Sequence, residues 1–141
     1  MKIRNYQHSD LAAVLQVWEV CRLLRSWSTP EYDIAMKMAF QPDLLLLACV
    51  DERVVGTVMA GYDGQRGWIN YLGVLPDYQR RGIASALLAE AELRLQALGA
   101  RTIKLQIRRD HLDVQVFYAS QGYHDDEVVG WGKRLSTALT G

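Results

Sequence analysis

The hydrophobic pattern of this chain changes period partway along, and that change sets the fold class. After Pro42 come three apolar or alternating runs, LLLLACV, VVGTVMAGY and WINYLGVL, separated by the short polar segments DER and DGQRG. Runs of this length with turn-rich gaps predict an antiparallel meander. From Arg81 to Leu98 the period becomes helical, with Ile83, Leu87, Ala91, Leu95 and Leu98 on one face and Gly99 placed to stop the helix.

The flanks extend the same alternation of elements. KIRNY reads as a first strand, and HSDLAAVLQVWEVCRLL as a helix with Leu11, Val14, Leu15, Trp18 and Cys21 on one face, capped by Ser9 or Asp10. Thr29 can cap a second helix whose first position is Pro30, where a missing N–H costs nothing; its body runs from Asp33 to Phe40. TIKLQI is a further strand, LDVQVFYASQG a short helix stopped by Gly122, and DDEVVGWGKRL the last strand. The predicted fold is α/β, a single domain over 1–141 in the order β-α-α-β-β-β-α-β-α-β. Its sheet is mixed, mostly antiparallel, and flanked by helices. The final strand can complete this sheet or pair across a homodimer.

Composition narrows the function classes. Sixteen acidic residues balance sixteen Lys plus Arg, without the positive excess of a generic nucleic-acid binder. Cys21 and Cys49 stand apart in apolar runs, with no Cys/His cluster, so no metal site is expected. MKIRNYQHSD lacks the apolar core of a signal peptide and LLLLACV is too short to span a bilayer, so a cytoplasmic protein without membrane partners is expected.

The start of the long helix, YQRRGIASALL, has the makings of an anion seat. A helix N-terminus carries unpaired N–H donors and the positive end of the dipole. Gly82 removes a side chain where a ligand must come close, Ala84 and Ser85 are small, and Arg80 and Arg81 add charge that pairs with phosphate. A packing turn with solvated arginines is the plainer alternative for an isolated R-R-G. Neither a P-loop nor a dinucleotide G-x-G-x-x-G is present.

LGVLPDYQRRGIASALL resembles the acyl-coenzyme A motif of the GNAT acetyltransferases, with Gln79, Gly82 and Ala84 matching Q/R-x-x-G-x-G/A. VFYASQGY resembles the second family signature. LLRSWSTPEYDI with GYDGQRG is similar, more narrowly, to the bacterial YpeA-type branch. The resemblance covers nearly the whole chain. It implies that backbone N–H groups of Arg80, Arg81, Gly82, Ile83, Ala84 and Ser85 hold the coenzyme pyrophosphate, with Gln79 in the same motif. An arginine of the pair meets the ribose phosphate. The main chain of Leu72 and Val74 pairs with the pantetheine arm, near a bulge in the fourth strand where it splays from the fifth.

The implied reaction is direct attack of an amine on acetyl-coenzyme A, with no metal. Tyr118 stands where the family places the proton donor to the departing thiolate. Many relatives carry an asparagine seven residues earlier, where this chain has His111; a histidine there can hold the coenzyme arm, cap the helix or face water. The fourth-strand glutamate of histone acetylases is replaced by Trp68. Deprotonating a lysine amine at neutral pH costs about 4.6 kcal/mol, against about 1.4 kcal/mol for an α-amine of pKa near 8. A site without that carboxylate therefore leans toward small-molecule amines or peptide α-amines. For the acceptor, Trp27 and Tyr32 offer an apolar wall, and Glu31 or Asp33 a carboxylate for a cationic amine; a packed interhelical loop is the alternative. The competing function is a non-catalytic acyl-coenzyme A binding or sensing module.

Overall fold

The computed structural model describes residues 1–135. Packing groups the chain into two compact units, one spanning Met1–Leu105 and one beginning at Gln106. The first unit holds β1 (Lys2–Asn5), α1 (Leu11–Val20), α2 (Pro30–Phe40), β2 (Leu45–Val50), β3 (Arg53–Tyr62), β4 (Gly67–Val74), α3 (Ile83–Leu98) and β5 (Ile103–Leu105). The second holds α4 (Leu112–Ser120).

The five strands form one sheet in chain order, antiparallel except for the parallel pair β4–β5. Parallel neighbours need a crossover, and α3 supplies it. β2 and β3 are apolar on both faces because both are covered. A side chain at Gly73 would meet Cys21 and Leu23 next to α1, whereas one at Gly56 would meet Leu87 of α3. Leu45, Leu46, Leu47, Ala48, Val55 and Val58 are fully buried between these layers.

The predicted order and mixed sheet are observed, with local differences. On α3 the buried face is Ile83, Leu87, Leu88, Ala91 and Leu95, while Leu98 is half exposed in the last turn. Asp10 precedes α1 but does not cap it with its side chain. Its carboxylate instead takes a two-pronged grip from Arg4, at 2.8 and 2.9 Å, and the Gln7 N–H at 2.8 Å. These charge-assisted bonds hold the Asp10 carboxyl below its usual range, and they tie β1 to the first helix.

The last predicted strand, DDEVVGWGKRL, does not form in the described residues. Glu127 takes a left-handed φ of 57° behind a turn in which its N–H donates to Asp125 Oδ1. That turn, and glycines at 130 and 132, break the extended path a ladder needs.

Candidate active site

β4 leads through a short turn at Pro76–Tyr78 into the start of α3. The Gln79 side chain is spent on bracing this turn, since its Nε2 donates to Val74 O at 3.0 Å. The Arg81 and Arg53 guanidiniums lie over the Tyr78 ring, 5.1 and 5.7 Å from its centre. Arg80 and Gly82 both adopt positive φ, 62° and 79°, a pattern that turns successive N–H groups toward a concavity. The first helical bond runs from Ala86 N–H to Gly82 O at 3.0 Å. The N–H groups of Ile83, Ala84 and Ser85 thus meet no acceptor among the described residues. A side chain at Gly82 would meet nothing within 4 Å. Free donors, open space and two exposed arginines fit a pyrophosphate.

β4 also carries the feature that organises the rest. β5 pairs with it only over Gly67–Ile69, so from Asn70 onward its outer edge has no strand partner among the described residues. On the inner edge the register slips: Met59 faces Asn70 and Thr57 faces Gly73, leaving two β4 residues opposite Val58. This is a β-bulge, with Tyr71 at φ 51°. Beyond it, Leu75 N–H donates inward to Val55 O. The trans peptide therefore aims the Val74 carbonyl outward, where Gln79 Nε2 and Cys21 Sγ donate to it. Strand periodicity puts the Leu72 main chain on the same outer edge.

The bulge turns Tyr71 onto the face covered by α1 and α2. Its ring stacks on Trp18, centres 3.7 Å apart and planes 7° from parallel. Its hydroxyl donates to Asp33 Oδ2 at 2.7 Å. Thr57 locks the backbone beneath, accepting from Trp18 Nε1 at 3.0 Å and donating to Tyr71 O at 2.8 Å. Burial, and then the Asp33 carboxylate, raise the Tyr71 pKa well above its ordinary value. Of the four residues expected on the acceptor side, only Asp33 is brought to the bulge by these bonds. Trp27, Glu31 and Tyr32 are exposed on the interhelical loop and the first turn of α2.

Further along the same face lies a pocket of about 610 Å³ lined by residues that include Lys37, Phe40, Tyr62, Asp63 and Trp68. Asp63 Oδ1 accepts from the Gln65 and Arg66 N–H groups and Oδ2 from Trp68 Nε1, so the expected hairpin turn is present. Those bonds pull the Asp63 pKa down to about 2. Lys37 Nζ donates to Ala60 O at 2.7 Å and to Gln41 Oε1 at 3.3 Å, and burial lowers its pKa.

In the second unit Tyr118 is the buried residue of α4, and burial pushes its pKa up to about 12. Its hydroxyl has no hydrogen-bond partner among the described residues. The glycine and aromatic that follow form the helix stop. Gly122, at φ 93°, donates to Ala119 O, and Tyr123 N–H to Tyr118 O, while the Tyr118 and Tyr123 rings meet edge-on at 5.5 Å. This is a Schellman cap with its usual apolar contact. His111 is the exposed residue before α4 and makes no side-chain cap.

The sequence reading missed Tyr71, Trp18 and Thr57. The mark of the bulge in the sequence is the spacing of the apolar Ile69 and Val74, five residues apart and both buried in the fold, which a regular strand cannot place on one face. Nothing in the sequence tied Asp33 or Lys37 to the sheet.

Known proteins match this arrangement. The family model described as "Acetyltransferase (GNAT) family" matches residues 11–123. "Acetyltransferase SG1711" of Sodalis glossinidius is 47% identical over 136 residues, 96% of each chain. Among solved structures, a PaiA N-acetyltransferase from Thermoplasma acidophilum in complex with coenzyme A is similar with a TM-score of 0.76, 20% identity and 92% of each chain covered. An aminoglycoside antibiotic 6'-N-acetyltransferase from Acinetobacter haemolyticus has a TM-score of 0.72 at 20% identity, over 96% of this chain and 100% of that one. With the bulged β4, the open outer edge and the donor-rich helix start in place, the chain belongs to the GNAT family and is an acetyl-coenzyme A-dependent N-acetyltransferase.

Proposed function

We propose that this enzyme transfers acetyl directly from acetyl-coenzyme A to a primary amine held beside Asp33 and Tyr71, either a small molecule or a peptide α-amine. The observation that carries this reading is the bulge at Tyr71–Leu72. It turns a phenol toward α1 and α2 while the next main-chain groups face an open edge. The cosubstrate supplies an activated thioester carbonyl.

On the donor side, the free N–H groups of Ile83, Ala84 and Ser85, with Arg80 and Arg81, hold the phosphates. The main chain of Leu72 and Val74 receives the pantetheine arm as an added strand. Gln79 acts through the turn it braces, and His111 borders the arm. Tyr118 gives a proton to the departing thiolate. Its place in the signature supports this, as does a pKa near 12 that keeps its proton in place at neutral pH. The two compact units work as one acetyltransferase domain, a reading supported by a family match that runs across their boundary. No described helix is long and apolar enough to cross a membrane, in keeping with a cytoplasmic enzyme.

The test pairs calorimetric binding of coenzyme A with thioester consumption over a panel of amines. Gly82→Glu puts bulk and negative charge at the seat, and we expect coenzyme affinity to fall at least about tenfold, as for loss of a charge-assisted contact. Unchanged affinity in a folded variant would refute the seat. Binding without consumption of any amine would refute the enzyme reading.

A further inference from the structure

Asp33 and Lys37 stand four residues apart on α2, close enough to pair on an ordinary helix surface. Here they turn away from each other. Asp33 accepts from the Tyr71 hydroxyl, and Lys37 donates to Ala60 O and Gln41 Oε1. Neither takes part in an ion pair among the described residues. Each is a part-buried charge satisfied only by neutral groups.

The pocket beside Lys37 has little else polar to offer a ligand. Gln41 is spent on the Tyr62 N–H and carbonyl, and Asp63 on its own turn and on Trp68. An ammonium has three donors, and Lys37 uses two, so one charged N–H remains. It stands beside Trp68 and Phe40, which supply flat apolar walls. Trp68 shares the α2-facing side of β4 with Tyr71. One face therefore presents a carboxylate at the bulge and a cation one helical turn away, with about 5–6 Å between the Cβ atoms of such a pair.

We infer that the acceptor is an amino acid or a close amino-carboxylate. Its ammonium lies at Asp33, its carboxylate at Lys37 and its side chain against Trp68. This rests on the acetyl-transfer reading above and names the acceptor class for that site. The ammonium loses one proton to solvent past Asp33. The N–C bond then forms as the C–S bond breaks, the nitrogen sheds a second proton, and the thiolate gains one. The net products are an N-acetyl amino acid, free thiol and one proton. Acetylation cancels the charge that Asp33 attracts while leaving the carboxylate, so the product is held at one end only.

The experiment measures thiol release by the unaltered chain with free amino acids, their amides and the corresponding decarboxylated amines. We expect kcat/KM for the acids to exceed that for the amides by about tenfold or more, the effect of one charge-assisted hydrogen bond. The lower pKa of amino amides works against this result, so it would not arise from basicity. Lys37→Gln should bring the ratio to about one. Amides turned over as well as acids, turnover confined to polyamines or amino sugars, or an unchanged ratio in Lys37→Gln would each overturn the inference and leave acetyl transfer standing. Coenzyme binding with no amine consumed would overturn the underlying reading instead. If Lys37→Gln fails to fold, the acid-to-amide ratio of the unaltered chain decides.

Discussion

Replacing Thr57 by valine removes one hydroxyl while keeping the side chain's shape, and the structure says what that hydroxyl holds. It accepts from Trp18 Nε1 and donates to the carbonyl of Tyr71, and both Thr57 and Trp18 are 0% exposed. Valine leaves a buried indole N–H and a bulge carbonyl without partners, at about 1.5–2.5 kcal/mol each, partly offset by about 1 kcal/mol from the added methyl. The net loss is about 2–4 kcal/mol, a large share of a typical ~5–15 kcal/mol stability. For 141 residues the unfolding entropy is about 0.3 kcal/mol per degree, so the melting temperature should fall by roughly 7–13 °C. Thr57→Ser keeps both bonds and loses a methyl, costing about 1 kcal/mol. Thermal melts followed by tryptophan fluorescence separate the two variants. Coenzyme affinity should weaken in the valine variant as the bulge relaxes. A valine variant melting within about 2 °C of the serine variant would show that the hydroxyl does not hold the bulge, and the reasoning would be wrong.

Two further outcomes follow from the buried phenols. Tyr118→Phe should lower kcat about a hundredfold, the scale of a lost general acid, while coenzyme affinity stays within twofold; unchanged turnover would remove Tyr118 from the chemistry. Tyr71 and Tyr118 both have pKa values raised in the folded state, Tyr118 to about 12. Their contribution to stability is therefore complete below pH 10 and is lost as the pH rises toward about 12, on the order of 2–3 kcal/mol for Tyr118. Melting temperatures that stay level across that range, with the phenols of the folded protein ionising near pH 10, would contradict the burial argument.

The elements of this fold were legible in the sequence because each has its own period and punctuation. The meander shows in LLLLACV, VVGTVMAGY and WINYLGVL, and the donor seat in Arg80–Gly82 ahead of an apolar helical face. Both depend on backbone, and backbone tendencies are local. The acceptor side was less legible because it joins residues far apart in the chain. Asp33 meets Tyr71, Lys37 meets Ala60, and Trp18 meets Thr57, and each pairing depends on how α1 and α2 lie across the sheet. Trp27 and Tyr32 suit an apolar wall by side-chain type alone, and both stand exposed. The final strand was misread because VVGW alternates as a strand does, while the turn at Asp125–Glu127 and the glycines deny it a ladder.

The bulge at Tyr71 gives the two halves of the site unlike tolerance to mutation. The donor half is addressed mainly by main-chain groups at Leu72, Val74 and the start of α3, and many side-chain replacements leave such groups where they are. The acceptor half is addressed by side chains on α2, Asp33 and Lys37, which are replaceable without touching the donor half, whereas Trp18 of α1 supports the bulge that both halves share. Substrate scope can therefore drift by substitution in α2 while cosubstrate use persists. Insertions or deletions in β4 are closed to that drift, because one residue more or fewer would move Tyr71 and the Leu72 edge out of step together.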